Sequence, residues 1–150
     1  MRVLLQNQYD DLLGGVETYF KLLIGALREE GHEAIVIYTK SGRKKTVEEK
    51  GYKVFYLPNL DLAEGVCCSG LRQREIKQDI DLLRSIAIRE KPDIIHLHNT
   101  HYPSQYRFLV KYAPVIQTVH DFHNCCNTVL KMLPDHICDK PLGLDCFKNK

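Results

Sequence analysis

An open, doubly wound parallel sheet with helices on both faces is the fold class this sequence predicts, and three observations predict it. Short apolar segments alternate with helical ones in βα order from Arg2 to Val119. Ala34–Tyr38 is a continuous apolar run rich in β-branched residues, as expected of a strand buried on both faces. The opening strand, Arg2-Val3-Leu4-Leu5, leads through a loop to the adjacent glycines Gly14-Gly15, where an amphipathic helix begins.

The elements follow in order. The first strand is Arg2 to Gln6, and the first helix runs from Gly15 to Glu30. Val16, Tyr19, Phe20, Leu23 and Leu27 lie on one face of that helix at helical spacing. Gly31 ends it as a left-handed cap. Ala34 to Tyr38 is the second strand. Lys53 to Leu57 is the third, after a polar loop over Thr39 to Gly51, and Pro58 stops it. Pro58 to Arg74 shows no period and reads as a long loop, a feature that compact domains often use for function. A helix from Glu75 to Arg89 buries Ile76, Ile80, Leu83 and either Ile86 or Ala87, and Pro92 punctuates it. A strand over Asp93–His98, a short helix over Ser104–Lys111 and a last strand over Val115–Val119 complete the pattern. The last strand is expected at or near an edge of the sheet, where its apolar, β-branched composition invites association.

A chain of 150 residues, 44% hydrophobic and 27% charged, has the size and composition of one soluble globular domain. A net charge of +2 gives no argument for nucleic acid. Arg43-Lys44-Lys45 reads as a solvated loop, with peripheral contact at a membrane surface as the alternative. Neither a transmembrane segment nor a signal-peptide core is visible, so a cytoplasmic location is expected. The six cysteines are then expected as reduced thiols or metal ligands rather than disulfides.

Ligands of doubly wound sheets bind beyond the carboxyl ends of the strands. That rule directs attention to Gln8–Gly15, Thr39-Lys40, the segment from Pro58, His98-Asn99 and His120-Asp121. At Gly14-Gly15 the unpaired N–H groups of a helix start, together with the helix dipole, can hold an anion such as phosphate. A simple tight turn is the competing reading. His120 stands directly after a strand, where it can donate a hydrogen bond into a ligand crevice at neutral pH. A structural histidine tied to backbone is the competing reading there, as it is for His98, and His96 looks most like a satisfied core residue. A dinucleotide site would need three spaced glycines and an acid at the end of the second strand. The glycines are only two, and the nearby acid, Glu33, stands at that strand's entrance. No cofactor is expected.

The Gly14-Gly15-Val16-Glu17 helix start, Pro92-Asp93-Ile94-Ile95-His96-Leu97-His98 and Thr118-Val119-His120-Asp121 occur together in that order. This ordered set resembles the N-terminal half of a family 4 glycosyltransferase of the GT-B architecture. The resemblance implies a Rossmann-like acceptor-side domain facing a donor-binding domain across a cleft. It implies that Gly14 and Gly15 approach the diphosphate of a nucleotide sugar and that His120 lies against the transferred sugar. His98, Asn99 and Asp121 would line the acceptor side. The implied reaction is sugar transfer with retention of configuration to a glycan or lipid-linked acceptor. A full family member continues into a nucleotide-gripping domain, which would complement this one, and none of its motifs occurs in these 150 residues. Residues 1–150 are therefore expected as a single domain, incomplete at its C-terminal end, with an irregular cysteine-rich tail over 123–150. Alone, such a chain is expected to be inactive, and a non-catalytic binding domain or remnant is the alternative.

Cys125, Cys126, Cys138 and Cys146, with His123 and His136 among them, could close a tetrahedral zinc site in a small interaction module. Their spacing lacks a CxxC pair. Some transferases resembling this chain carry a cysteine-rich loop at the same place, so a loop of free or buried thiols is the competing reading.

Overall fold

Side chains alternate across a strand, so a strand buried on both faces must be apolar at odd and even positions alike. The first strand, β1 (Arg2–Asn7), meets that requirement with Val3 and Leu5 on one face and Leu4 on the other. In the computed structural model, which describes residues 1–11, 14–40, 47–49, 51–60, 70–98, 100 and 103–120, β1 lies at the centre of a six-stranded sheet. Helix α1 (Gly15–Glu29) follows it, then β2 (Glu33–Tyr38), β3 (Val47–Glu49) and β4 (Tyr52–Tyr56). Helix α2 (Gly70–Glu90), β5 (Ile94–His98), a 3-10 helix (Pro103–Lys111) and β6 (Val115–Thr118) complete the order. The strands lie in the sequence β3-β4-β2-β1-β5-β6, all parallel except β3, which runs antiparallel to β4. The chain divides into two compact units, Met1–Thr118 and Val119–Lys150. All described residues but Val119 and His120 belong to the first.

Each face of the sheet has its own core. α1 covers one, packing Phe20 and Ile24 on Leu5, Val36, Tyr38 and Val54. α2 and the 3-10 helix cover the other, with Leu83, Ile86, Tyr106 and Leu109 against Leu4, Ile35, Ile37 and Ile95. The α2 residues expected to be buried are the ones that pack, and both Ile86 and Ala87 do so. Burying a Leu, Ile or Phe side chain contributes about 1.5–3 kcal/mol, so these two layers supply the main cohesion of the sheet.

Several expectations need correction. Tyr19 lies at the rim of α1, 44% exposed, and Ile24 takes the core position. The contact face runs through Glu17, Phe20 and Ile24, with Leu23 and Leu27 of the expected stripe packed, partly buried, against the same core. α2 begins at Gly70, inside the stretch read as loop. Gln73, Arg74 and Glu75, near its start, face solvent and give no apolar period to read. β3 falls in the segment read as a polar loop; three residues at a sheet edge are too few to print a pattern. Gly31 is a left-handed residue after α1, at φ 77°, with its N–H bonded to the Arg28 carbonyl, as expected of a C-terminal cap.

Candidate functional site

The carboxyl end of the sheet is built from residues that break the apolar pattern. β1 ends in Gln6 and Asn7 and is followed by Gln8, and all three are buried. The Gln6 Oε1 accepts the His98 backbone N–H at 3.3 Å, which ties β1 to β5 beyond their ladder. Asn7 Nδ2 donates to the Tyr9 carbonyl at 3.2 Å and shapes the turn after the strand. Asn7 Oδ1 and Gln8 Nε2 are buried without a hydrogen-bond partner among the described residues. Leaving such a group unpaired costs roughly 1–3 kcal/mol, a cost that a stability-driven apolar core does not carry. A run of three amides closing an apolar strand was the signal for these residues, and pattern reading passed over it.

α1 starts at the glycine pair. Gly14 is the N-cap, with φ −173°, and carries no side chain to cap the first turn. Neither Gly14 nor Gly15 has a positive φ. A Cβ on Gly15 would meet nothing within 4 Å, and one on Gly14 would meet only the Glu17 carboxylate, at 3.5 Å. Thus neither backbone conformation nor packing within the described residues demands glycine here, which weighs against the tight-turn reading. No side chain of the N-cap residue caps the first turn, so its N–H groups keep their donor capacity there.

Glu17 is the residue that sequence reasoning missed at this turn. It is the third residue of α1 and is buried, with its carboxylate beside Gly14. A negative charge in the first turn complements the helix dipole and takes up part of the field that would attract an anionic ligand. Lys40, just beyond β2, supplies a cation at the same end of the sheet. Its ammonium lies 5.6 Å from the Tyr9 ring centroid, and its N–H donates to the Gln8 carbonyl at 2.6 Å. Glu33 stands at the opposite, amino end of the strands, paired with Arg2 at 3.3 Å and Lys53 at 3.8 Å. The carboxyl end of β2 therefore presents Thr39 and Lys40, not the acid that would hold a ribose.

The histidines divide by burial. His98 is fully buried, its ring 5.1 Å from Phe20, 5.8 Å from Tyr19 and 4.0 Å from His96. His96 was expected as the core histidine, yet it is only partly buried, with Nε2 2.7 Å from Thr118 Oγ1. His120 is half-buried, two residues beyond β6. Asn99 and Asp121, like Cys125, Cys126, Cys138 and Cys146, lie outside the described residues. Among the described residues no three His, Cys, Asp or Glu side chains are grouped to hold a metal ion. No helix among them is long and apolar enough to cross a membrane.

A parallel sheet with a glycine-opened helix after its central strand agrees with what comparison to known proteins finds. The chain is 32% identical over 90 residues to a component of the human phosphatidylinositol N-acetylglucosaminyltransferase, a match covering 59% of this chain and 18% of that protein. This chain thus aligns with about a fifth of the length of that relative. The profile of Glycosyltransferase Family 4 matches residues 13–136, from the glycine turn past Cys125-Cys126 but short of Cys138 and Cys146. The chain belongs to glycosyltransferase family 4.

Proposed function

We propose that this chain is the acceptor-side domain of a retaining glycosyltransferase, which moves a sugar from a nucleotide-sugar donor to a hydroxylated acceptor. The carrying observation is the uncapped, unobstructed glycine start of α1, where the fold itself gives no reason for glycine. In this reading Gly14 and Gly15 let the donor diphosphate reach the first-turn N–H groups. Those donors stabilise the negative charge that grows on the leaving diphosphate as the glycosidic bond breaks. The diphosphate oxygen in turn takes the proton of the acceptor hydroxyl, so no carboxylate nucleophile is needed. His120 donates a hydrogen bond to the transferred sugar and orients it. Lys40 adds positive potential to the same end of the sheet. His98, being sealed, supports the acceptor wall from behind rather than touching the acceptor, and by resemblance Asn99 and Asp121 belong to the acceptor side.

The name of the human relative describes transfer of N-acetylglucosamine to phosphatidylinositol. That supports a lipid-linked or glycan acceptor for this chain, and with it a peripheral position at a membrane. A complementing domain supplies the nucleotide grip.

Titration of the chain with a uridine diphosphate sugar, followed by amide NMR, tests the reading. The Gly15, Val16 and Glu17 amide signals are expected to shift, and Gly15→Val is expected to abolish the shifts. Perturbation elsewhere with the α1 start unmoved, or no perturbation at millimolar ligand, would overturn it. In the presence of a complementing donor domain, His120→Ala is expected to lower turnover on the order of 10²-fold.

A further inference from the structure

The direction of winding reverses at one place in this sheet. From β1 the chain builds outward to β2 and β4, then returns through α2 to set β5 on the other side of β1. The crevice between the carboxyl ends of β1 and β5 is therefore the topological switch point, where doubly wound sheets hold their ligands. α1 overlies it: Tyr19 and Phe20, in its second turn, lie 5.8 and 5.1 Å from the His98 ring at the end of β5. Asn7 stands on the face of β1 that carries Val3 and Leu5, the face on which α1 packs.

At this place β1 runs out in two amides with opposite needs. The turn that carries them is pinned through its main chain. The Asn7 carbonyl accepts the Thr39 N–H at 3.1 Å, and the Gln8 carbonyl accepts those of Thr39 and Lys40 at 3.2 and 2.6 Å. Asn7 Nδ2 donates to the Tyr9 carbonyl at 3.2 Å. None of these bonds uses Asn7 Oδ1, an acceptor, or Gln8 Nε2, a donor. Both atoms are fully buried and have no hydrogen-bond partner among the described residues. An apolar side chain of similar size would spare the fold that cost.

The two atoms define a class of ligand. Phosphate and carboxylate groups accept without donating and leave Asn7 Oδ1 unsatisfied. Ammonium and guanidinium groups donate without accepting and leave Gln8 Nε2 unsatisfied. Hydroxyl groups do both. We propose that Asn7 and Gln8 form a polyol subsite at the switch point, Oδ1 accepting from one ligand hydroxyl and Nε2 donating to another. Both atoms are closed to water in this structure, so binding includes a shift of the residues that cover them. Which polyol enters, the transferred sugar or the acceptor, rests on the transferase reading; the subsite itself does not.

The test follows the side-chain amide signals of Asn7 and Gln8 in the full chain by proton–nitrogen NMR. The probes are glucose, myo-inositol and, as an anion without hydroxyls, inorganic pyrophosphate. Saturable movement of the two signals is expected with a polyol and none with pyrophosphate. A response to glucose assigns the subsite to the transferred sugar, and a response to myo-inositol alone assigns it to the acceptor. Gln8→Met removes the donor at similar size. It is expected to weaken the polyol response of Asn7 by about three- to tenfold, one hydrogen bond's worth, and to melt no lower than wild type. Side-chain signals that ignore both polyols would overturn the proposal, as would full polyol affinity in Gln8→Met or a melting temperature lowered by it. The wild-type titration decides the matter even if Gln8→Met does not fold. Movement of the Gly15 to Glu17 backbone amides with pyrophosphate, with the side chains silent to polyols, would sink the subsite and leave the transferase reading standing. The reverse pattern would do the opposite.

Discussion

At the residue scale, the site is made by side chains whose properties oppose ordinary core formation. Gln6, Asn7 and Gln8 are buried amides, His98 is a buried imidazole, and Glu17 is a buried carboxylate in the first turn of a helix. Glu17 shows how two physical effects compete at one place. Its charge stabilises α1 by about 0.3–1 kcal/mol through the helix dipole, and the same charge opposes an incoming diphosphate. Glu17→Gln is therefore expected to lower the melting temperature slightly while tightening nucleoside-diphosphate binding by about two- to fivefold. Calorimetric titration checks it; weaker binding in the Gln variant would mean that the carboxylate accepts a ligand hydroxyl instead. The glycines, His98 and His120 were legible in the sequence as candidates because they sit at strand ends. Glu17 and the amides were not, because polar residues near a turn look solvated until the packing is known.

Elements were legible where they carry a strong period or a continuous apolar run, as in α2 and β2. They were illegible where stability comes from elsewhere. β3 exists because β4 offers it an edge, and near the start of α2 the solvent-facing Gln73, Arg74 and Glu75 give no apolar pattern to declare it. β6 combines both lessons. Its composition identified it as a strand, and among the described residues it pairs with β5 alone. Which of its side chains are exposed was decided by packing: Val115 packs against the core beneath α2, whereas Ile116 is 49% exposed. A lysine at 115 would thus break the core, and a lysine at 116 tests the edge cleanly. Ile116→Lys is expected to reduce concentration-dependent association of the chain, with little change in melting temperature. Light scattering over a concentration series reads this directly; a wild type already monodisperse at high concentration, with no gain from lysine, would show that the edge is covered.

At the scale of the molecule, the two ends of the sheet do different work. The carboxyl end gathers the candidate site. The amino end is fastened by charge: Glu90, buried at the end of α2, accepts from Lys53 at 2.7 Å and Arg89 at 2.8 Å. The Arg2 Nη1 donates to the Glu90 carbonyl at 2.8 Å, and Asp93 receives the Arg2 backbone N–H at 2.7 Å. Burial by itself pushes the Glu90 carboxyl up, but the hydrogen bonds and charges of Lys53 and Arg89 outweigh it and hold the group below its ordinary value. Lys53 is raised above its ordinary value, chiefly by its hydrogen bond to Glu90 and against a smaller effect of burial. The Glu90 contribution is accordingly complete above the usual glutamate value of about 4.3 and is lost as pH falls through the lower folded value. That of Lys53 is complete below about 10.4 and is lost only as pH rises through its higher folded value. Glu90→Gln is expected to destabilise the fold at pH 7 on the order of 1–3 kcal/mol, with the difference from wild type vanishing at acid pH. Urea unfolding at several pH values between 7 and 3 measures this, and a difference independent of pH would show that packing of Glu90, not its charge, matters.

The sequence by itself determined the class of sheet, the strands at its centre and the helix that opens at Gly14-Gly15. Periodicity, glycine placement and the order of strand-end motifs are local properties that survive without coordinates. Only the tertiary structure decided which histidine is sealed and which is tied to Thr118, because alternation assigns a face but not what covers it. It likewise decided that Gly14 and Gly15 answer to no constraint of the backbone, since φ and the space around a missing Cβ exist only in the folded chain. The depth at which Glu17 and the three amides lie was settled there too. Burial is a property of what packs above a residue, and the residues that pack above these come from elsewhere in the chain.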